Sequence, residues 1–131
     1  MILFCDEDIG THVPMALRLV NYHTFSMKQK GWLSKEDSEW LTIAGQKKWL
    51  AFSGNKKILK VPNERETITR EKVGIIFLTS GQEKLPEVLR LLLTKWNKLE
   101  FIDETEQRPF AYFLYPNGVL TKQSLHKGEK S

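Results

Sequence analysis

Sulfur chemistry is nearly absent from this sequence: its single cysteine, Cys5, lies in the apolar run Ile2, Leu3, Phe4, Cys5. One thiol forms no intrachain bridge, which excludes a disulfide framework and a cysteine-based zinc site, so Cys5 reads as a small buried hydrophobe. The three histidines, His12, His23 and His126, show no HExxH spacing, and no Cys–His nucleophile pair is suggested. Gly10, Gly54 and Gly81 make no dinucleotide fingerprint, and no GxxxxGK[ST] occurs, which removes support for a phosphate loop. Apolar runs all fall short of the ~18 residues that a membrane span needs. The opening MILFCDEDIG places acids where a signal peptide carries its basic region, so the expectation is a cytoplasmic chain with no membrane partner.

What is present fits a folded chain. At 131 residues, 40% hydrophobic and 27% charged, the composition is that of a globular protein able to bury a core, and the length suits one domain. We expect that domain over residues 1–125, with a polar tail over 126–131. Twenty Lys and Arg against sixteen Asp and Glu give a formal charge of +4, and the excess is concentrated. Between Lys47 and Lys72 stand Lys47, Lys48, Lys56, Lys57, Lys60, Arg65, Arg70 and Lys72 against only Glu64, Glu66 and Glu71. Such a stretch suits a polyanionic partner, and equally a solvated basic face.

Hydrophobic patterning predicts alternating strands and helices. Short apolar runs at residues 2–5, 49–52 and 73–78, and the segment Tyr22–Phe25, read as strands, the first stopping at Asp6, Glu7, Asp8 and that at 49–52 at Ser53, Gly54, Asn55. Between them, Thr11 caps a helix with an apolar face of Val13, Met15, Ala16, Leu17, Leu19 and Val20. Ser34 and Asp37 open a second helix that Gly45 weakens or ends, and Asn63 with Glu66 opens a short polar one. Ser80 and Glu83 open the longest helix, to about Lys98, and Pro109–Leu114 gives a terminal strand with a hairpin turn at Asn117-Gly118. Strands buried on both faces and alternating with helices imply an α/β/α sandwich around a mainly parallel sheet. Ligands of such sheets lie beyond the carboxyl ends of the strands near the switch in strand order, which singles out Asp6–Asp8 and Ser53–Asn55.

The carboxylates carry the chemistry. Asp6 and Asp8, two apart, face the same way if the chain stays extended, and crowded carboxylates call for a cation or a basic neighbour; hard ions such as Mg²⁺ use such oxygens. The same acids also suit a solvated loop or a cap for the next helix. Asp37 lies in the first turn of the second helix, where the dipole favours a carboxylate, and helix starts in this architecture face the strand ends, so Asp37 can approach Asp6. Phe25 and Trp32 could stack on bases, or pack. The loop between them and Lys35, with Lys28 and Lys30, would rim the site.

Four segments in order, FCDEDIG, DSEWL, WLAFSGNKKI and then VGIIFL followed by RPFAYFL, resemble the PIN-like nuclease superfamily, in particular the short VapC-type toxin proteins. The resemblance implies a three-layer α/β/α sandwich with a central parallel sheet and metal-dependent cleavage of RNA by a toxin held inactive by a cognate antitoxin. It also implies an acid cluster binding Mg²⁺ or Mn²⁺, which would polarise the phosphate and acidify an attacking water. Carried onto this chain, Asp6 matches the first acid and Asp37 the second, while the third falls on Asn55, which offers a neutral oxygen and no charge. Asp8 or Glu39 would stand in for a fourth ligand. The metal set is then Asp6, Asp8 and Asp37, with Asn55 beside them in the catalytic set. Lys56, Lys57, Lys60 and Arg65 would hold the RNA backbone. A homodimer through the outer face of the long helix is a further expectation of the resemblance. The missing third acid leaves open a catalytically weakened module that binds RNA or a protein.

Overall fold

Apolar runs of only a few residues, each stopped by a polar residue or glycine, fold as short strands in one sheet. The computed structural model describes residues 1–32, 35–80 and 84–125. Its strands are β1 (Leu3–Cys5), β2 (Thr24–Ser26), β3 (Leu50–Ser53), β4 (Gly74–Leu78), β5 (Phe110–Leu114) and β6 (Leu120–Gln123). Its α-helices are α1 (His12–Leu19), α2 (Asp37–Lys47), α3 (Pro62–Arg70) and α4 (Leu85–Thr105). The strand order is β2-β1-β3-β4-β5-β6, parallel throughout except for the β5–β6 hairpin. This is the mainly parallel sheet read from the sequence. Gly118, at φ 90°, supplies the left-handed position of the hairpin turn, and the Val119 amide donates to Asn117 Oδ1 at 3.0 Å.

Alternation along the strands sorts the core into two layers. Leu3, Cys5, Leu50, Phe52 and Ile76 pack against Val13 and Leu17 of α1 and Leu92, Trp96 and Leu99 of α4. Phe4, Ala51, Ile75 and Phe77 point the other way, to Trp40, Leu41 and Ala44 of α2 and Ile68 of α3. The result is an α/β/α sandwich. No helix among the described residues is long and apolar enough to cross a membrane.

Several local expectations are corrected. Gly45 does not end α2: it is buried within it, and a Cβ there would come 2.4 Å from the Glu71 carbonyl oxygen, so the residue is what lets α2 close on the end of α3. Asn63 does not cap α3, which begins at Pro62 after Val61. The last helix continues to Thr105 because Leu99 and Ile102 prolong its buried stripe. On α1, Met15, Leu19 and Val20 are exposed, and only Val13, Pro14 and Leu17 are buried. Of the two readings given for Trp32 and Phe25, packing is the one seen: Trp32 lies 5.5 Å from the Phe4 ring and Phe25 6.4 Å from Trp49. Ser34, Glu83 and the tail over 126–131 lie outside the described residues.

Candidate functional site

The chain leaves β1 to build β2 on one side and later returns with β3 on the other. That reversal parts the connections at the carboxyl ends of β1 and β3 and opens a crevice there. A cavity of about 220 Å³ occupies it, lined by Asp6, Glu7, Asp8, Met27, Lys35, Asp37 and Asn55. Asp6, Asp8, Asp37 and Asn55 are thus brought to one pocket.

Asp6 follows the last residue of β1 and is only 3% exposed. Its amide donates to the Phe52 carbonyl at 3.0 Å, which ties it to β3. Its Oδ1 accepts the Asp8 amide at 3.1 Å, and its Oδ2 accepts the Ser53 hydroxyl in a short hydrogen bond. Ser53 Oγ in turn accepts the Asn55 amide at 2.9 Å, so one hydroxyl fixes both the acid of β1 and the turn after β3. Burial pushes the Asp6 carboxyl up to about 7, with Asp8 adding to the rise, against the pull of Ser53 and the backbone amides of Gly54 and Ile9. Cys5, just before it, is buried on the sheet with its thiol pushed far up by burial, and takes no part in the pocket.

The premise of an extended Asp6–Asp8 segment is corrected. Residues 7–9 form a 3₁₀ turn, because the Asp6 side chain caps it by accepting the Asp8 amide. Both acids, and Glu7 as well, nevertheless border the pocket.

Asp37 begins α2. Its Oδ1 accepts the indole N–H of the buried Trp40 at 2.9 Å, which places the carboxylate and satisfies the indole together. Glu64 of α3 adjoins it: burial, then the Asp37 carboxylate and a hydrogen bond shared with it, push Glu64 up to about 7. Sequence reasoning gave Glu64 no role, because α2 and α3 meet only through tertiary packing. The strand-end rule picked out Ser53–Asn55, but not the bond from the Ser53 hydroxyl to Asp6, because the two residues lie 47 apart in the chain.

The basic residues divide. Lys56 and Lys57 are exposed on a 3₁₀ turn directly after Asn55, and Lys60 is exposed at its end. Arg65 is half-buried and donates to the Leu59 carbonyl at 3.0 Å, so part of its guanidinium holds that turn. Lys35 reaches the pocket itself.

Asp6, Asp8, Asp37 and the Asn55 carbonyl are hard oxygen donors of the type a Mg²⁺ or Mn²⁺ ion takes. The Asp8 amide, the Ser53 hydroxyl and the Gly54 and Ile9 amides all address the Asp6 carboxyl, so a cation there would share oxygens that also accept hydrogen bonds. Among the described residues no three His, Cys, Asp or Glu side chains close round one point, and no buried side-chain polar atom lacks a partner. The donors therefore suit an ion held by one or two carboxylates and completed by water and a substrate phosphate, the usual manner for Mg²⁺, rather than a closed protein cage.

Residues 1–80 match the family described as PIN like domain, a stretch that runs from β1 through β4 and contains every residue lining the pocket. No curated protein and no solved structure matches the chain. With well over half its length matched, and its acids gathered at the switch point of a parallel sheet, the chain belongs to the PIN-like domain family.

Proposed function

We propose that this chain is a metal-dependent ribonuclease of the toxin type, acting in the cytoplasm as a single unit over residues 1–125 and restrained by a cognate antitoxin. PIN-like domains generally use divalent metals, and nuclease activity is the function that the family suggests. The observation that carries the reading is the convergence of Asp6, Asp8, Asp37 and Asn55 on one pocket beyond the ends of β1 and β3. The toxin role rests on resemblance to short VapC-type proteins.

In this reading Asp6 and Asp37 hold Mg²⁺ or Mn²⁺, with Asp8 beside them and Asn55 adding an uncharged oxygen. A divalent ion bound there supplies Lewis-acid polarisation of the scissile phosphate and a more acidic water. The chain's own work is positioning. Ser53 fixes the rotamer of Asp6, the Trp40 indole fixes Asp37, and Lys35 at the pocket, with Lys56 and Lys57 on the turn directly after Asn55, would present positive charge to a phosphate backbone. Lys60, at the end of the 3₁₀ turn, and Arg65, on α3, would extend that contact.

Asn55 favours a second reading, because a neutral oxygen where the family pattern has an acid weakens the hold on a cation. On that view the chain is an attenuated module that binds RNA or a protein without turnover. Cleavage of a mixed single-stranded RNA with Mn²⁺, by the wild type and by Asp6→Asn, separates the two. Cutting that stops in the variant and in excess chelator supports the nuclease. A folded wild type that does not cut, or an Asp6→Asn protein as active as wild type, overturns it.

A further inference from the structure

A second groove adjoins the acidic pocket. It runs between α2 and α3, has a volume of about 430 Å³, and shares Lys35 with the pocket. Its lining follows from helical spacing: Ser38 and Thr42 lie four apart on α2, and Asn63, Thr67 and Arg70 recur at i, i+4, i+7 on α3. Apart from Ile43 every residue bordering it is polar or charged, which is unlike the apolar lining usual for a small-molecule cleft.

The two cations are loosely held. Lys35 pairs with Glu39 at 3.8 Å, and Arg70 with Glu66 at 3.7 Å and Glu71 at 3.3 Å; Lys35 and Glu71 are partly buried and the other three are exposed. Pairs with an exposed partner contribute ~1 kcal/mol or less, so exchanging a carboxylate for a phosphate costs little. The hydroxyls are held differently. Thr42 Oγ1 donates to the Ser38 carbonyl at 2.8 Å, and Thr67 Oγ1 to the Asn63 carbonyl at 2.8 Å. A hydroxyl whose proton is turned back to its own helix offers only lone pairs outward. Lone pairs cannot serve a phosphate, which has no proton to give. They can accept from a ribose 2′-hydroxyl, the group that distinguishes RNA from DNA.

We propose that the α2–α3 groove is a track for single-stranded RNA leading into the acidic pocket, with Lys35 and Arg70 on backbone phosphates and the Thr42 oxygen accepting a ribose 2′-hydroxyl. The proposal rests on the ribonuclease reading for its direction into the pocket, but binding along the track needs no metal. A labelled 12-nucleotide RNA and the DNA of the same sequence, titrated by fluorescence anisotropy in excess chelator, test it without cleavage. The wild type binds the RNA several-fold more tightly than the DNA. Arg70→Ala weakens both several-fold and flattens the log–log salt dependence by about one phosphate contact. Thr42→Val, close in shape, lowers RNA affinity towards that of DNA and leaves DNA unchanged. Thermal melts of both variants confirm folding.

Equal affinity for RNA and DNA in the wild type, or RNA affinity untouched by both substitutions, overturns the track and leaves the groove to a protein partner. Cleavage with Mn²⁺ in a parallel sample keeps the two readings apart. Arg70-dependent, RNA-selective binding without cutting preserves the track and removes the nuclease. Cutting with no dependence of binding on Arg70 or Thr42 does the reverse.

Discussion

Asp6→Asn should make the metal-free protein more stable at pH 8 and no more stable at pH 4. The unfolded chain releases the Asp6 proton near the ordinary value of 3.8, whereas the folded chain keeps it up to about 7. Between those values the unfolded state binds fewer protons than the native state, so the contribution of Asp6 falls as pH rises and levels off above about 7. Three pH units at about 1.4 kcal/mol each amount to about 4 kcal/mol. Asparagine has no charge to bury, but with a single acceptor oxygen it keeps only one of the bonds that Asp6 accepts from the Asp8 amide and the Ser53 hydroxyl, a loss of about 1 kcal/mol. The difference between variant and wild type should therefore move from about −1 kcal/mol at pH 4 to about +3 kcal/mol at pH 8. For a chain of this length the latter raises Tm on the order of 10 °C. Urea and thermal unfolding of both proteins in chelator measure this, and subtracting the two curves removes the other titrating groups, Glu64 included. A difference that does not change with pH, or a variant less stable at pH 8, would refute the reasoning that burial dominates at this carboxyl.

Asn55→Asp adds a carboxylate to the same pocket; it should raise Mn²⁺ affinity by tenfold or more, read by calorimetry, and any cleavage rate with it. Gly45→Ala drives a methyl group against the Glu71 carbonyl and should lower stability by about 2 kcal/mol in urea unfolding, without altering metal binding. At the opposite end of the sheet, Arg108 pairs with Asp103 at 2.6 Å and donates to the Trp49 carbonyl at 3.0 Å. Arg108→Ala leaves Asp103 without that partner and should cost about 2–3 kcal/mol of unfolding free energy, again with metal binding unchanged.

The architecture was legible because the strands here are written as runs. Leu50–Ser53 and Gly74–Leu78 are apolar on both faces, which only a sheet covered by helices satisfies, and Asn117-Gly118 dictates a tight turn. The end of a helix was less legible where tertiary contact overrode local preference, as at Gly45 and past Lys98. For the pocket, Asp6, Asp37 and Asn55 could be read because strand ends and helix starts converge in this topology. Glu64 could not, since its nearness to Asp37 depends on how α2 and α3 pack. The groove beyond Lys35 was equally hidden, because its sides come from residues 35–43 and 63–70. Aromatic identity left Phe25 and Trp32 open between stacking and packing, and the Phe4–Trp49 cluster they join gives packing.

The central claim is that Asp6 and Asp37 together hold a divalent ion in the crevice between β1 and β3. Calorimetric titration of Mn²⁺ into the wild type, Asp6→Asn and Asp37→Asn at pH 8 tests it most directly. We expect one site in the wild type that disappears in both folded variants, with proton release on binding that grows as pH falls through about 7, where Asp6 is protonated. No binding to the folded wild type, or binding that survives both substitutions, would contradict the assignment.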